Sequence, residues 1–190
     1  PGAPGPGGRK MVASMAREAG GDLTADDIEP VDRGFYHTDA LVEGDADIAF
    51  LAFHNFEIVE SRHRGFDAGL WELADYGVPD FNQLILTASD RKVETDPDQV
   101  RRFVDATRRG VEDTVADSER AVEIFFERFP EVRAEHPELM DAIAAATVEC
   151  FTPDLSQDMP MYRDLVTYCD ELSLSEGPVA VDEFTDERFV

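Results

Sequence analysis

A change of hydrophobic periodicity near Asp90 constrains this chain more than any other feature. From Asp96 onward the apolar residues recur at helical spacing. Val100, Phe103, Val104, Thr107, Val111 and Val115 share one face, and Ala121, Ile124, Phe125 and Phe129 share the next. Asp96-Pro97 and Ser118 have the residue types that start helices. Two more helices are expected over 137–150 and 160–172, followed by a Pro- and acid-containing tail over 173–190 with no clear pattern.

Before Asp90 the pattern alternates. Met11, Val12, Met15, Ala16 and Ala19 predict a first helix that Gly20-Gly21 stops. A brief helix over 38–43 ends at Gly44, and 56–64 reads as helical. The run 46–52 reads as a strand covered on both faces, 70–74 as another strand and 82–88 as a third apolar run. Helices alternating with such runs imply a parallel-type sheet, so the expected class is α/β with a helical C-terminal half and a soft boundary near Asp90.

Composition narrows the function classes. Acidic residues number 42 against 17 basic ones, giving a formal charge of −25, and Lys10 and Lys92 are the only lysines. Such a surface repels nucleic acid. The acids are interleaved with Phe, Leu, Ile and Val along the whole length, so the charge coats a folded surface rather than forming a disordered tail. Solubility in concentrated salt explains it economically, because the screening length shrinks to about 3 Å at 1 M. No run of about 18 apolar residues suggests a membrane span. The opening Pro1 to Pro6 stretch has no signal-peptide pattern, and the natural start can be missing. Cys150 and Cys169 fit no metal-ligand spacing; a disulfide and two buried thiols are both open.

No nucleophile elbow, Walker loop, dinucleotide fingerprint or HExxH motif is present. The Gly/Pro-rich opening precedes a helix whose N-terminus can receive an anion or polar ligand, although its prolines lack the N–H donor. Phe53-His54-Asn55-Phe56-Glu57 follows an expected strand end, where α/β sheets bind ligands. There Phe53 or Phe56 can stack on a flat, nitrogen-rich ring while Asn55 and Glu57 hydrogen-bond its edge. Equally, the segment reads as a strand-to-helix junction with Asn55 as cap and Glu57 in solvent. Tyr76 and Phe81 form a second aromatic pair, in a loop that Gly77 and Pro79 also explain as a turn. Glu57, Glu60 and His63 share helical spacing, but Arg62 and Arg64 beside them, and the isolation of His37, speak for a charged surface rather than a metal site.

These residues resemble a known family. Gly44-Asp45-Ala46-Asp47-Ile48-Ala49 resembles the strand entry of type II periplasmic binding proteins. The order 53–58, then Leu73 to Phe81, then Leu84 to Ser89, with Phe151-Thr152-Pro153-Asp154 later, is similar to the NMT1/THI5-like family. The resemblance implies a type II periplasmic-binding-protein fold of two lobes, incomplete at its N-terminus. Residues 1–90 would be the second lobe and 91–190 a helical segment returning to the first. It further implies capture of a thiamine-pyrimidine precursor or similar small heterocycle for an ABC transporter permease at the extracellular face of the membrane. Membrane contact would come only through the transporter or a lipid anchor outside this chain. On this alignment Gly2, Ala3 and Pro4 belong to a ligand loop and join Phe53, His54, Asn55, Phe56, Glu57 and Tyr76 as the expected binding residues, with no catalytic residue, metal or cofactor. Family members often carry tryptophan where this chain has His54 or Phe56, which bears on the exact ligand. The family also includes pyrimidine synthases that use pyridoxal phosphate and iron. That alternative calls for a Schiff-base lysine, a donor histidine such as His37 or His54, and a cysteine-rich motif.

Overall fold

A computed structural model describes residues 5–34 and 37–190. In chain order the helices are α1 Pro6–Glu18, α2 His37–Val42, α3 Glu57–His63, α4 Asp90–Thr95, α5 Pro97–Ala116, α6 Ser118–Arg128, α7 Pro130–Ala134, α8 Pro137–Val148 and α9 Met159–Glu171. Single 3₁₀ turns occur at Ala25–Asp27, Leu73–Tyr76, Val181–Glu183 and Glu187–Phe189.

The α/β expectation is overturned: among the described residues there is no strand and no sheet. Each apolar run fails as a strand for a visible reason. Within 46–52 the backbone turns at Phe50 and Leu51, and Leu51 sits in the left-handed region at φ 59°, which no strand residue adopts. The run 70–74 winds into the Leu73–Tyr76 turn, which Gly77 closes at φ 78°. The run 82–88 is irregular and solvent-facing, with Leu84 89% exposed. An extended segment becomes a strand only when neighbouring backbone satisfies its N–H and C=O groups, and none of these three has that neighbour.

The expected helices form, with local capping that explains their bounds. α1 begins earlier than its apolar pattern because Pro6 fits the first helical position. It ends where Gly20, at φ 83°, lets the Gly20 and Gly21 amides donate to Arg17 O and Ala16 O. Asp96, Asp117 and Asp158 cap α5, α6 and α9 by accepting from Gln99, Arg120 and Met161 amides at 3.2, 3.0 and 3.1 Å. The cap of α6 is therefore Asp117, one residue before the expected Ser118. Pattern reading did not anticipate α4 and α7, which are each barely more than one turn long.

The chain divides into two compact units. One holds the described residues up to Phe81 together with Asp158–Phe184. In it the turns Ala25–Asp27 and Leu73–Tyr76 pack against α1, whose Ala13 is buried, and Val78 is buried immediately after Gly77. α2 packs on α3, and the buried residues of the pair are Thr38 and Ala40 from α2 and Ile58 and Ser61 from α3. The Lys10 ammonium donates to Leu172 O and Ser173 O at 3.0 and 2.8 Å and so closes the C-terminal end of α9. Tyr162 of α9 is buried, its ring edge-on to Phe184 with centroids 5.9 Å apart.

The other unit comprises Asn82–Gln157 with Thr185–Val190. Its core is Val104 and Val111 from α5, Phe126 from α6, Leu139 and Ile143 from α8, and Phe189 from the last turn. The Arg101 guanidinium stands over the Phe189 ring at 5.7 Å. The tail that had no sequence pattern is thus anchored in each unit by one residue, Val181 in the first and Phe189 in the second, both buried. Neither cysteine is in a disulfide. Cys150 is exposed, while burial, with Asp170 beside it, pushes the half-buried Cys169 thiol up from its ordinary range. Neither a disulfide nor a pair of buried thiols is present.

Candidate functional site

The expected binding residues meet only in part. Gly2, Ala3 and Pro4 lie outside the described residues. Phe53, His54, Asn55 and Phe56 form the turn that enters α3: the Phe56 amide donates to Phe53 O at 3.1 Å, and Phe56 rather than Asn55 is the residue flanking the helix. Tyr76, half-buried, belongs to the Leu73–Tyr76 turn that packs on α1, whereas α3 packs on α2.

Glu57 is the first residue of α3, where the helix dipole favours a carboxylate. Its side chain is only 12% exposed. One oxygen, Oε2, accepts the Phe53 N–H at 2.7 Å, folding the turn back onto the helix start. The other, Oε1, faces the His37 Nδ1 of α2 at 3.3 Å. That approach has ion-pair distance but not the alignment of a hydrogen bond, and the Nδ1 atom is shut off from solvent. The reading of Glu57 as a solvated side chain is therefore incorrect, as is Asn55 as the helix cap.

Phe53 and Phe56, in the same turn as this tethered carboxylate, are both 43% exposed. Large aromatic surface left in water beside a nearly buried acid can stack a planar ring and offer an acceptor to its edge. His54 is exposed and Asn55 half-buried.

Other charges on and beside the α2–α3 pair are matched by ion pairs. Arg64 binds Asp39 and lies 3.9 Å from Glu60, and Arg33 bridges Glu43 and Asp45. The helical spacing of Glu57, Glu60 and His63 does not produce a ligand set, because Glu57 turns to His37 and Glu60 to Arg64. Among the described residues no three His, Cys, Asp or Glu side chains are grouped to hold a metal. His37 is the site residue that spacing could not find: twenty positions separate it from Glu57, and only the docking of α2 on α3 joins them.

An open groove lined by Glu123, Phe126, Glu127, Pro130 and Arg133 lies in the other unit and contains none of these residues. Its acids are partnered by Arg120, and Arg133 stands over Phe126 at 5.2 Å, so it has the character of a packing seam between α6 and α7.

Comparison with known proteins bears on the same segment. A family described as NMT1/THI5 like matches residues 2–121. The formylaminopyrimidine-binding protein of Halalkalibacterium halodurans is 24% identical over 178 residues, covering 91% of this chain and 53% of that protein. The riboflavin-binding protein RibY of Chloroflexus aurantiacus is 26% identical over 198 aligned residues, covering 100% of this chain and 55% of that protein. The chain spans about half the length of the curated relatives it matches.

Proposed function

The chain belongs to the NMT1/THI5-like family, and from that premise we propose that it is part of a solute-binding protein for a small planar nitrogen heterocycle. The observation that carries this reading is a nearly buried Glu57 carboxylate, already tethered to the Phe53 amide, in a turn whose two phenylalanines, Phe53 and Phe56, are exposed. The rings desolvate and stack the ligand, and the carboxylate with Asn55 selects its donor edge. A pre-tethered acceptor costs less entropy to engage than a free one. The names of the two relatives support the ligand class, one a formylaminopyrimidine and the other riboflavin, both ring systems with nitrogen at the edge. A thiamine-pyrimidine precursor is the specific ligand proposed, delivered to an ABC permease at the extracellular face of the membrane. His54 and Tyr76 border the ligand in this proposal, as do Gly2, Ala3 and Pro4.

The pyrimidine-synthase alternative gains nothing from the side chains present. Lys10 is held by two carbonyls of the α9 terminus, and Lys92 by Asp96 and Gln99, so neither offers a free amine for a Schiff base. The two cysteines belong to different units.

Equilibrium dialysis in molar salt with a formylaminopyrimidine and with riboflavin tests the proposal. Binding of either, weakened about tenfold or more in Glu57→Gln, is the expected result, since a charge-assisted contact is worth about 1.5–3 kcal/mol. Binding unaffected by Glu57→Gln and by Phe56→Ala together would remove this site from the account.

A further inference from the structure

We infer that His37 is a positioning residue for Glu57, resting on the binding role just proposed. The carboxylate has two oxygens, and the Phe53 N–H fixes only one of them at 2.7 Å. Rotation about that anchored oxygen would let the other swing between solvent and protein. The imidazole of His37 stands 3.3 Å from Oε1 and stops that rotation from the α2 side. The result is a carboxylate held from two elements, with its unused lone pairs facing a fixed direction.

His37 is itself held. It is the first residue of α2, which packs on α3, and the next residue, Thr38, is buried. Two turns beyond Glu57, at the C-terminal flank of α3, Arg64 pairs with Asp39, so the seam between the two helices is held by the His37–Glu57 contact and by an ion pair. An imidazole carried by such a seam has little freedom to leave Glu57. Its Nδ1 has no aligned hydrogen bond and is closed to water, so the carboxylate is the group available to satisfy it.

This arrangement restricts the ligand. An unencumbered carboxylate can take a two-donor edge, such as an exocyclic amine beside a protonated ring nitrogen, through both oxygens. With Oε2 engaged by backbone and Oε1 faced by His37, Glu57 accepts a single ligand donor in one direction. His37 thereby favours heterocycles presenting one N–H or NH₂ group over those presenting a two-donor fork.

The experiment compares His37→Asn with His37→Gln. The asparagine amide nitrogen occupies the same position along the side chain as Nδ1, whereas the glutamine nitrogen lies one bond further out. Dissociation constants for riboflavin and a formylaminopyrimidine are measured in molar salt beside the unliganded melting temperature. His37→Asn is expected within about threefold of wild type and His37→Gln weakened about tenfold, with similar melting temperatures for the two. His37→Gln combined with Glu57→Gln should bind no more weakly than Glu57→Gln alone. Equal affinity in His37→Asn, His37→Gln and wild type overturns this inference and leaves the binding role intact. Equal weakening of both variants together with a matching loss of melting temperature also overturns it, reducing His37 to a fold contact. No binding of either compound by wild type overturns both.

Discussion

Lys10 shows how much a single side chain carries in this molecule. Its ammonium lies 162 residues from the carbonyls it caps, and those carbonyls would otherwise end α9 without partners. Lys10→Met should lower stability by about 1–2 kcal/mol in urea unfolding, the worth of a charged hydrogen bond at a helix end. Lys92→Met should cost about 0.5 kcal/mol or less, because its pair with Asp96 is an exposed one-turn contact. Four acids are held below the usual carboxylate range: Asp27 by the Thr24 hydroxyl, Asp96 by the Lys92 ammonium, Asp154 by the Ser156 amide and Asp186 by the Arg188 guanidinium. A depressed carboxylate contributes stability that is present above its unfolded value and is lost as pH falls through its folded one. The stability curve should therefore decline below about pH 4, and Asp27→Asn should flatten that decline by removing the Thr24–Asp27 cap. Measurement of urea midpoints from neutral to acid pH checks both the sign and the variant. At this scale the site was legible only in composition. Phe53, Phe56 and Glu57 stand out as a rare aromatic and acidic run, but the hydrogen bond that tethers Glu57 depends on a turn geometry that residue types do not encode.

At the scale of elements, helix existence was legible and helix orientation was not. The apolar pattern of α6 places Ala121, Ile124, Phe125 and Phe129 inward, yet Phe126 is the buried ring at 8% exposure and Phe125 is 46% exposed. Val122, Ile124, Phe125 and Phe126 crowd one helix, so periodicity alone cannot say which stripe meets α8. In the structure Phe126 is the ring covered by Arg133 of α7, which begins at Pro130 directly after α6. Phe126→Ala should cost about 3–5 kcal/mol and Phe125→Ala about 1 kcal/mol, measured by chemical denaturation. Equal losses would mean that both rings share the core. The strands failed for a related reason. Runs such as Leu84-Ile85-Leu86 have strand composition, but a sheet needs a hydrogen-bonding neighbour, and the need for a neighbour is invisible in the run itself. Caps were the opposite case: Asp96, Asp117 and Asp158 act within three residues, and local rules locate them to within a position.

For the whole molecule, a formal charge of −25 on 190 residues makes self-repulsion a dominant unfolding force in dilute buffer. Its basic residues, some of them in exposed pairs such as Arg33–Glu43, Arg101–Asp98 and Arg120–Glu123, are too few to compensate the acid excess. The melting temperature should rise steadily from dilute buffer to molar salt as screening shortens from about 30 Å to about 3 Å. Equal stability across that range would refute salt adaptation.

A ligand-dependent melting temperature in molar salt tests whether this chain binds a planar nitrogen heterocycle at the Phe53–Glu57 turn. With a formylaminopyrimidine or riboflavin at a hundredfold excess over its dissociation constant, the native state gains about 2.7 kcal/mol, a rise of roughly 5–10 °C for a chain of this size. The account predicts that rise in wild type and its loss in Phe53→Ala combined with Glu57→Gln. An unchanged melting temperature with both compounds, or an equal rise in the double variant, would contradict it.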